Sequence, residues 1–595
     1  MQKPANEWPE TERARSVLFV AQAISSLVAT DTFESFRMMT LDTPARLGEA
    51  IALLRDIESG QLPRATFGPV KDELAWSIEF DPAINHKVHD EPSMLLRSLR
   101  SIQSLEKFDI RRLSTQIQVT SNRVTPGYKE RLERIIIENY NEISRRKQTL
   151  SAVSFYCTHI INLGYSREYV LNSAKRYFFT ERVERAGARK LKGFFSLFDG
   201  LEYKFTCYAA VSPHFATYLD GIVSGNILQL SDLPVAVSES FTDHWEYDEE
   251  FRYVKFQTKA RDRYIASFKL IEELSRLRSV TILVSRTFEA SWMDDVYVIR
   301  GSSDSGDMVQ KASVRLSRKT FNPRLAGNSA RDSKSLTESI DSQFNIASRD
   351  RILNSLSTTF TAAASDDPES RLISLWSAFE ILLREPSAGT PRIVHYAELI
   401  APCIARNYAR RTFAATYNGL LVNHRTDTSW FTEFASEGGR YNRYQSFVRG
   451  IILHDFHEHF RDFNRRISQN PLACFRLHEL RDKWSTPKKY SDSIEKHESK
   501  LMWQTHRIYR ARNNLVHSGR VPAYLDSLTI NVFEYYRNAL AAIVRDSKDY
   551  MPTSDIDHVV EFIRMKHHGQ KLMVNEMRGD DEFTLEQIDV VFGKS

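Results

Sequence analysis

The stretch Arg507-Ile-Tyr-Arg-Ala-Arg-Asn-Asn-Leu-Val-His-Ser-Gly-Arg520 decides how the rest of the chain is read. Gly519 and Pro522 predict a helix that ends just before them, because glycine closes a helix in the left-handed conformation and proline cannot continue one. With Leu515 set at zero and about 100° per residue, Leu501, Ile508 and Leu515 fall within about 40° of one another, and Met502, Tyr509 and Val516 at about 100–140°. Arg512 falls near roughly 60°, inside this apolar arc. A guanidinium there is costly unless it is paired or meets an anion. Asn513 and His517 are four residues apart, at about 160° and 200°, so the amide can orient the imidazole. Arg510 sits near the same edge, and Arg507 and Arg520 add positive charge. Spacing alone leaves two readings of Arg512 open: a bridge to an acid such as Glu380, or contact with a phosphate.

Outward from this stretch, helical spacing covers 347–362, 369–384, 394–417, 440–466, 494–517 and 525–546. In Arg371-Leu-Ile-Ser-Leu-Trp-Ser-Ala-Phe-Glu-Ile-Leu-Leu383, the residues Leu375, Phe379 and Leu382 define a core face, bordered by Trp376 and Glu380. Helical spacing also marks 11–29, 93–106 and 126–182. Between about 200 and 300 the texture changes to strands at 203–208, 251–256, 280–284 and 296–299, with a helix over 261–278. Residues 301–345 are rich in Ser, Asp, Gly, Lys and Arg and read as a linker. The expected organisation is multidomain and mainly α. A helical N-terminal region (1–190) is followed by an α+β region (191–300), the linker (301–345), an all-α bundle (346–550) and a polar tail (551–595).

The 595 residues are 42% hydrophobic and 26% charged, which fits a folded globular chain and not a disordered or fibrous one. Lys and Arg number 81 against 76 Asp and Glu, so the net charge of +5 does not by itself mark a polyanion binder. Any such site must come from local clustering. The four cysteines lie far apart with no CxxC, which suits a reducing compartment. Ser16–Thr30 is the most apolar uncharged stretch, but it is shorter than the roughly 20 residues a membrane span needs. Glu7, Glu10 and Glu12 offset the basic residues where a signal peptide would be positive. The expectation is a cytoplasmic protein without a membrane segment.

Other motifs fail. Gly301-Ser-Ser-Asp-Ser-Gly306 has the glycines of a phosphate loop, but Asp307 places an anion where a cation is needed. His454, His457 and His459 read as a solvated His-rich helix and not as a zinc site, so neither metal nor cofactor is expected.

Two passages together carry a resemblance. Arg512-Asn513-x-x-x-His517, preceded by Ile508-Tyr509 and followed by Ser-Gly, resembles the R-polar-x3-H signature of the HEPN superfamily. The passage 371–383 resembles the Leu-Trp-x-Ala-x-Glu first helix of its Apea-like branch. The likeness covers about 350–550, with an insertion over about 385–490, and no family is recognised for 1–340. It implies an all-α HEPN-type bundle that pairs as a homodimer and acts as a metal-independent endoribonuclease, often as a toxin or anti-phage effector. Arg512 and His517 would be catalytic and Asn513 their polar support, with Glu380 and Arg510 in secondary roles. Arg507, Arg520, Arg410 and Arg411 are candidates for RNA contact. The first 300 residues would sense a phage or cellular trigger. The alternative is a non-catalytic HEPN protein that binds RNA or a protein partner.

Overall fold

A computed structural model of the chain describes residues 8–592 apart from 10, 31, 85–89, 103–108, 181–186, 223–225, 245–250, 285–289, 302–305, 311–322, 366, 387–390, 425–432, 434–435, 437–438, 440, 551–552 and 580–581. The chain is mainly helical, with 24 α-helices and one five-stranded sheet among the described residues. It divides into two compact units. One comprises Met1–His159, Phe178–Lys192 and Arg315–Ser595, and the other Ile160–Tyr177 and Gly193–Val314.

The smaller unit is built on strands β1 (Tyr203–Val211), β2 (Ile227–Leu228), β3 (Arg252–Ala260), β4 (Trp292–Arg300) and β5 (Gly306–Gln310). They lie in the order β2-β3-β1-β4-β5, every neighbouring pair antiparallel. Because successive strand side chains alternate faces, β1 serves two cores. Phe205, Cys207, Ala209 and Val211 pack against Ala266, Leu270 and Leu274 of helix Arg263–Val284. Tyr208 and Ala210 face Val237 and Phe241 of helix Val235–His244.

That long helix corrects the strand expected at 280–284. Its buried face runs through Leu270, Leu274 and Leu277 to Thr281, whose hydroxyl donates to the Leu277 carbonyl at 2.8 Å. Helical periodicity therefore overrides the β-branched composition of the last turn.

The larger unit contains the Arg507–Arg520 stretch. A 32-residue helix, Pro487–Ser518, hereafter the motif helix, threads two apolar cores. Its first half gives Tyr490 and Ile494 to a core with Phe413, Phe447, Phe463, Trp484 and Phe592. Its second half gives Leu501, Ile508, Ala511 and Leu515 to a core with Leu375, Trp376, Phe379, Tyr536 and Ile543. The second core includes the helical pair Ile346–Ala364 and Pro368–Leu382, where Ser355 Oγ lies 2.7 Å from the Ala378 carbonyl and 2.7 Å from Tyr536 Oη.

Three expected boundaries do not survive. Residues 1–159 belong to the same unit as the bundle, because their polar side chains bond to it; Gln22 Oε1, for example, accepts from the Leu472 amide at 3.2 Å. The expected linker holds β5 and helix Pro323–Gln343, whose Ile340 is buried in the second core. Polar composition there reflects a sheet edge and an outer helix. The expected tail holds helices Ile556–Glu576 and Leu585–Phe592. Ile556, Val559, Val560 and Ile563 recur at helical spacing and are fully packed, a stripe diluted by polar residues on the opposite face. Residues 302–305, the interior of the rejected phosphate loop, lie outside the described residues.

No helix among the described residues is long and apolar enough to cross a membrane. All four cysteines are free.

Candidate functional site at the end of the motif helix

The motif helix ends where the glycine predicts. Gly519 has φ 62°, and its amide donates to the Leu515 carbonyl at 3.2 Å, while that of Arg520 donates to Asn514 at 3.3 Å. Nothing lies within 4 Å of the position a Cβ would take there, so the requirement is conformational and not steric. Gly519→Ala is expected to cost about 1–2 kcal/mol by forcing a left-handed alanine. The final turn, which carries His517, should fray, and a lower melting temperature should register it.

Arg512 is half-buried, as its place in the apolar arc predicts. Its Nη1 donates to Asn513 Oδ1 at 3.1 Å and its Nη2 to Glu380 Oε2 at 3.4 Å. Glu380 is held from its other side by Trp376, whose indole Nε1 donates to Oε1 at 3.0 Å. The Trp376 ring meets Tyr509 edge to face at 5.5 Å. The acidic helix and the motif helix are thus joined by Trp376, Glu380, Arg512 and Tyr509. Arg512 Nε is buried and has no hydrogen-bond partner.

Asn513 does not serve His517 as expected. Its carbonyl oxygen is taken by Arg512. His517 is exposed on the last turn and makes no hydrogen bond within the chain among the described residues.

Arg507, a candidate for RNA contact, is instead buried against carboxylates, and Arg510, expected in a supporting role, pairs with one of the same carboxylates. Arg507 Nε donates to Glu49 Oε1 at 3.0 Å and its Nη2 to Glu49 Oε2 at 2.7 Å. Its Nη1 donates to Glu73 Oε1 at 3.3 Å and to Gln504 Oε1 at 2.6 Å, and Nη2 also donates to Glu73 Oε2. Arg510 Nη2 reaches Glu49 Oε1 at 2.7 Å, and Arg46 Nε reaches Glu73 Oε1 at 3.1 Å. Three guanidinium groups and two carboxylates therefore form one buried network. Burial pushes the Glu49 carboxyl up, but Arg507 and Arg510 outweigh it and hold it at about 2. The Glu73 carboxyl is also lowered, by Arg507 and Arg46 against burial.

Five residues apart on one helix, the two arginines have different fates. The Arg507 side chain is 2% exposed with its fork saturated; that of Arg512 is 22% exposed with a donor to spare. Sequence reasoning missed Glu49 and Glu73. The one available signal was Glu73 sitting among Phe67, Val70, Leu74 and Ile78, an apolar face that a lone carboxylate joins only if it is paired.

The remaining basic candidates scatter. Arg411 pairs with Glu34, and Arg410 lies beside it, its carbonyl accepting from Tyr444 Oη at 3.1 Å. Arg520 is exposed, 3.9 Å from Asp56. His454 and His457 lie ring to ring at 5.9 Å, and no group of three or more His, Cys, Asp or Glu among the described residues is placed to hold a metal ion.

No protein family, no curated protein and no solved structure matches the chain.

Proposed function

We propose that the chain is a metal-independent endoribonuclease of HEPN type, acting through Arg512, Asn513 and His517 of two paired copies, and serving as a regulated toxin or anti-phage effector. The observation that carries this reading is the contrast between the consumed Arg507 and the available Arg512, with an exposed imidazole five residues further along.

The chemistry follows from the side chains. In RNA the 2′-hydroxyl attacks the neighbouring phosphorus, a P–O bond forms to that oxygen, and the bond to the 5′-oxygen breaks. A base takes the 2′-hydroxyl proton and an acid returns one to the leaving 5′-oxygen. An imidazole performs either role near neutral pH. Arginine keeps its charge and forks onto phosphate oxygens as negative charge builds. One motif offers one histidine, and a two-fold pair offers two. The Glu380 contact, long at 3.4 Å, parks Arg512 until a phosphate replaces it. The Glu49 and Glu73 contacts give residues 1–159 a physical route to the motif helix, suited to a trigger-sensing role.

The test is RNA cleavage by the intact chain with and without EDTA, with the product ends identified. Cleavage unaffected by EDTA and leaving 2′,3′-cyclic phosphate and 5′-hydroxyl ends is expected. A strict magnesium requirement would remove the scheme. The second reading, a non-catalytic RNA- or protein-binding member of the superfamily, is favoured by one observation: Asn513 engages Arg512 and leaves the imidazole unsupported.

A further inference from the structure

A second concentration of positive charge lies away from the motif, where three segments of the larger unit converge. The short turn Glu34–Phe36 brings Ser35, helix Pro471–Trp484 brings Lys483, and the motif helix brings His497 and Lys500. Tyr408 stands at their centre. Its hydroxyl oxygen accepts from Lys483 Nζ at 2.6 Å and from Ser35 Oγ at 2.8 Å. Its ring stacks on His497 with centroids 3.6 Å apart and an interplanar angle of 8°. Lys483 Nζ also lies 5.1 Å from the Trp484 ring centroid, and Lys500 Nζ lies 5.3 Å from that of Trp76.

Neither Lys483 nor Lys500 forms an ion pair among the described residues, whereas nearby Lys489 reaches Asp482 at 2.8 Å. Glu34 lies 3.6 Å from His497 Nε2 and is already paired with Arg411. Burial raises the Tyr408 phenol, yet Lys483, Ser35 and Lys500 together bring it below the ordinary tyrosine value. His497 is held well below the ordinary histidine value by burial and by Arg411, Lys483 and Lys500, which keeps its ring neutral. His497 Nε2 and Trp484 Nε1 are buried without hydrogen-bond partners. The corner is open, because Ser35 and Lys500 are exposed and Lys483 is half-buried.

Two ammonium groups without an ion-pair partner among the described residues, together with a phenol and a serine already bonded to it, converge from four segments. We infer that the Ser35–Tyr408–Lys483–Lys500 corner binds the phosphate group of a phosphate-bearing ligand. Lys483 has two N–H donors left after Tyr408, and Lys500 has three. The ligand would fasten the N-terminal turn to the motif helix. Lys500 precedes Arg512 by twelve residues, about 18 Å along the helix axis, so the site is separate from the motif and does not depend on it.

Intact protein in chloride buffer is titrated with inorganic phosphate, with adenosine 5′-monophosphate, and with a short oligoribonucleotide made uncleavable by 2′-O-methylation. Calorimetry and the melting temperature report binding. At least one probe should bind, and Lys500→Met and Lys483→Met should each weaken it tenfold or more. Lys496→Met, on the exposed surface, should leave it unchanged. Saturation by inorganic phosphate or the mononucleotide identifies a free phosphate ligand; saturation by the oligoribonucleotide alone identifies an RNA backbone. Lys500 is exposed, so its variant folds even where Lys483→Met does not. No binding by any probe, or undiminished binding in Lys500→Met, overturns the assignment.

Discussion

Replacing His517 by alanine is expected to lower RNA cleavage by about 10²- to 10⁴-fold, the range over which a positioned acid or base accelerates proton transfer. The same change should leave stability within about 0.5 kcal/mol of wild type, as for other exposed positions without packing partners. His517 is exposed on the last turn, so its loss opens no cavity and orphans no buried group. Activity and folding therefore separate at this residue, which they do not at Arg512. Arg512→Lys is the companion variant. It keeps the charge but loses the planar fork, and with it the paired contact to phosphate oxygens. Cleavage rates on a defined RNA, with circular dichroism melts of each variant, check both. A folded His517→Ala protein that cleaves at the wild-type rate would falsify the proposed role.

Arg507→Met should destabilise the chain by about 3–5 kcal/mol or more, because removing one partner of a buried ion pair leaves the other charge uncompensated. Here two carboxylates, Glu49 and Glu73, would be left with only Arg510 and Arg46. The effect depends on pH in a defined direction. Arg507 and Arg510 hold the Glu49 carboxyl at about 2 against burial. A depressed folded-state value adds stability that is fully present above the ordinary carboxylate value of about 4.3 and is lost as pH falls toward the folded value. The deficit of Arg507→Met should thus be largest near neutrality and shrink as pH drops below that value, where the stranded carboxylates take up protons. Urea melts at pH 7 and pH 3 measure it. Adding Glu49→Gln and Glu73→Gln should recover part of the loss, since neutral amides are cheaper to bury than unpaired carboxylates. A uniform deficit across this range would show that the network is not what holds these helices together.

Much of the candidate site was legible because its signals are local. The helix end at Gly519, the half-buried Arg512 and its neighbour Glu380 all follow from helical periodicity and from the cost of an unpaired guanidinium. The strands at 203–208, 251–256 and 296–299 were legible from composition for the same reason. The run at 280–284 was misread because composition and periodicity disagreed there, and only packing against the sheet arbitrates between them. The polar stretch 301–345 and the last 45 residues were misread because averaging over a segment hides a one-sided apolar stripe such as Ile556, Val559, Val560 and Ile563.

By itself, the amino-acid order settled which residues share a helix face, where that helix stops, and which charged group lies in its apolar arc. It did not settle which arginine is structural. Arg507 lies about 140° around the helix from Arg512, on a face that reads as solvated. Tertiary packing laid the N-terminal helices over that face and brought Glu49 and Glu73, 458 and 434 residues distant in sequence, onto its guanidinium. Periodicity reports one buried side of a helix, whereas a helix covered from two sides buries charges whose partners only the fold brings within reach.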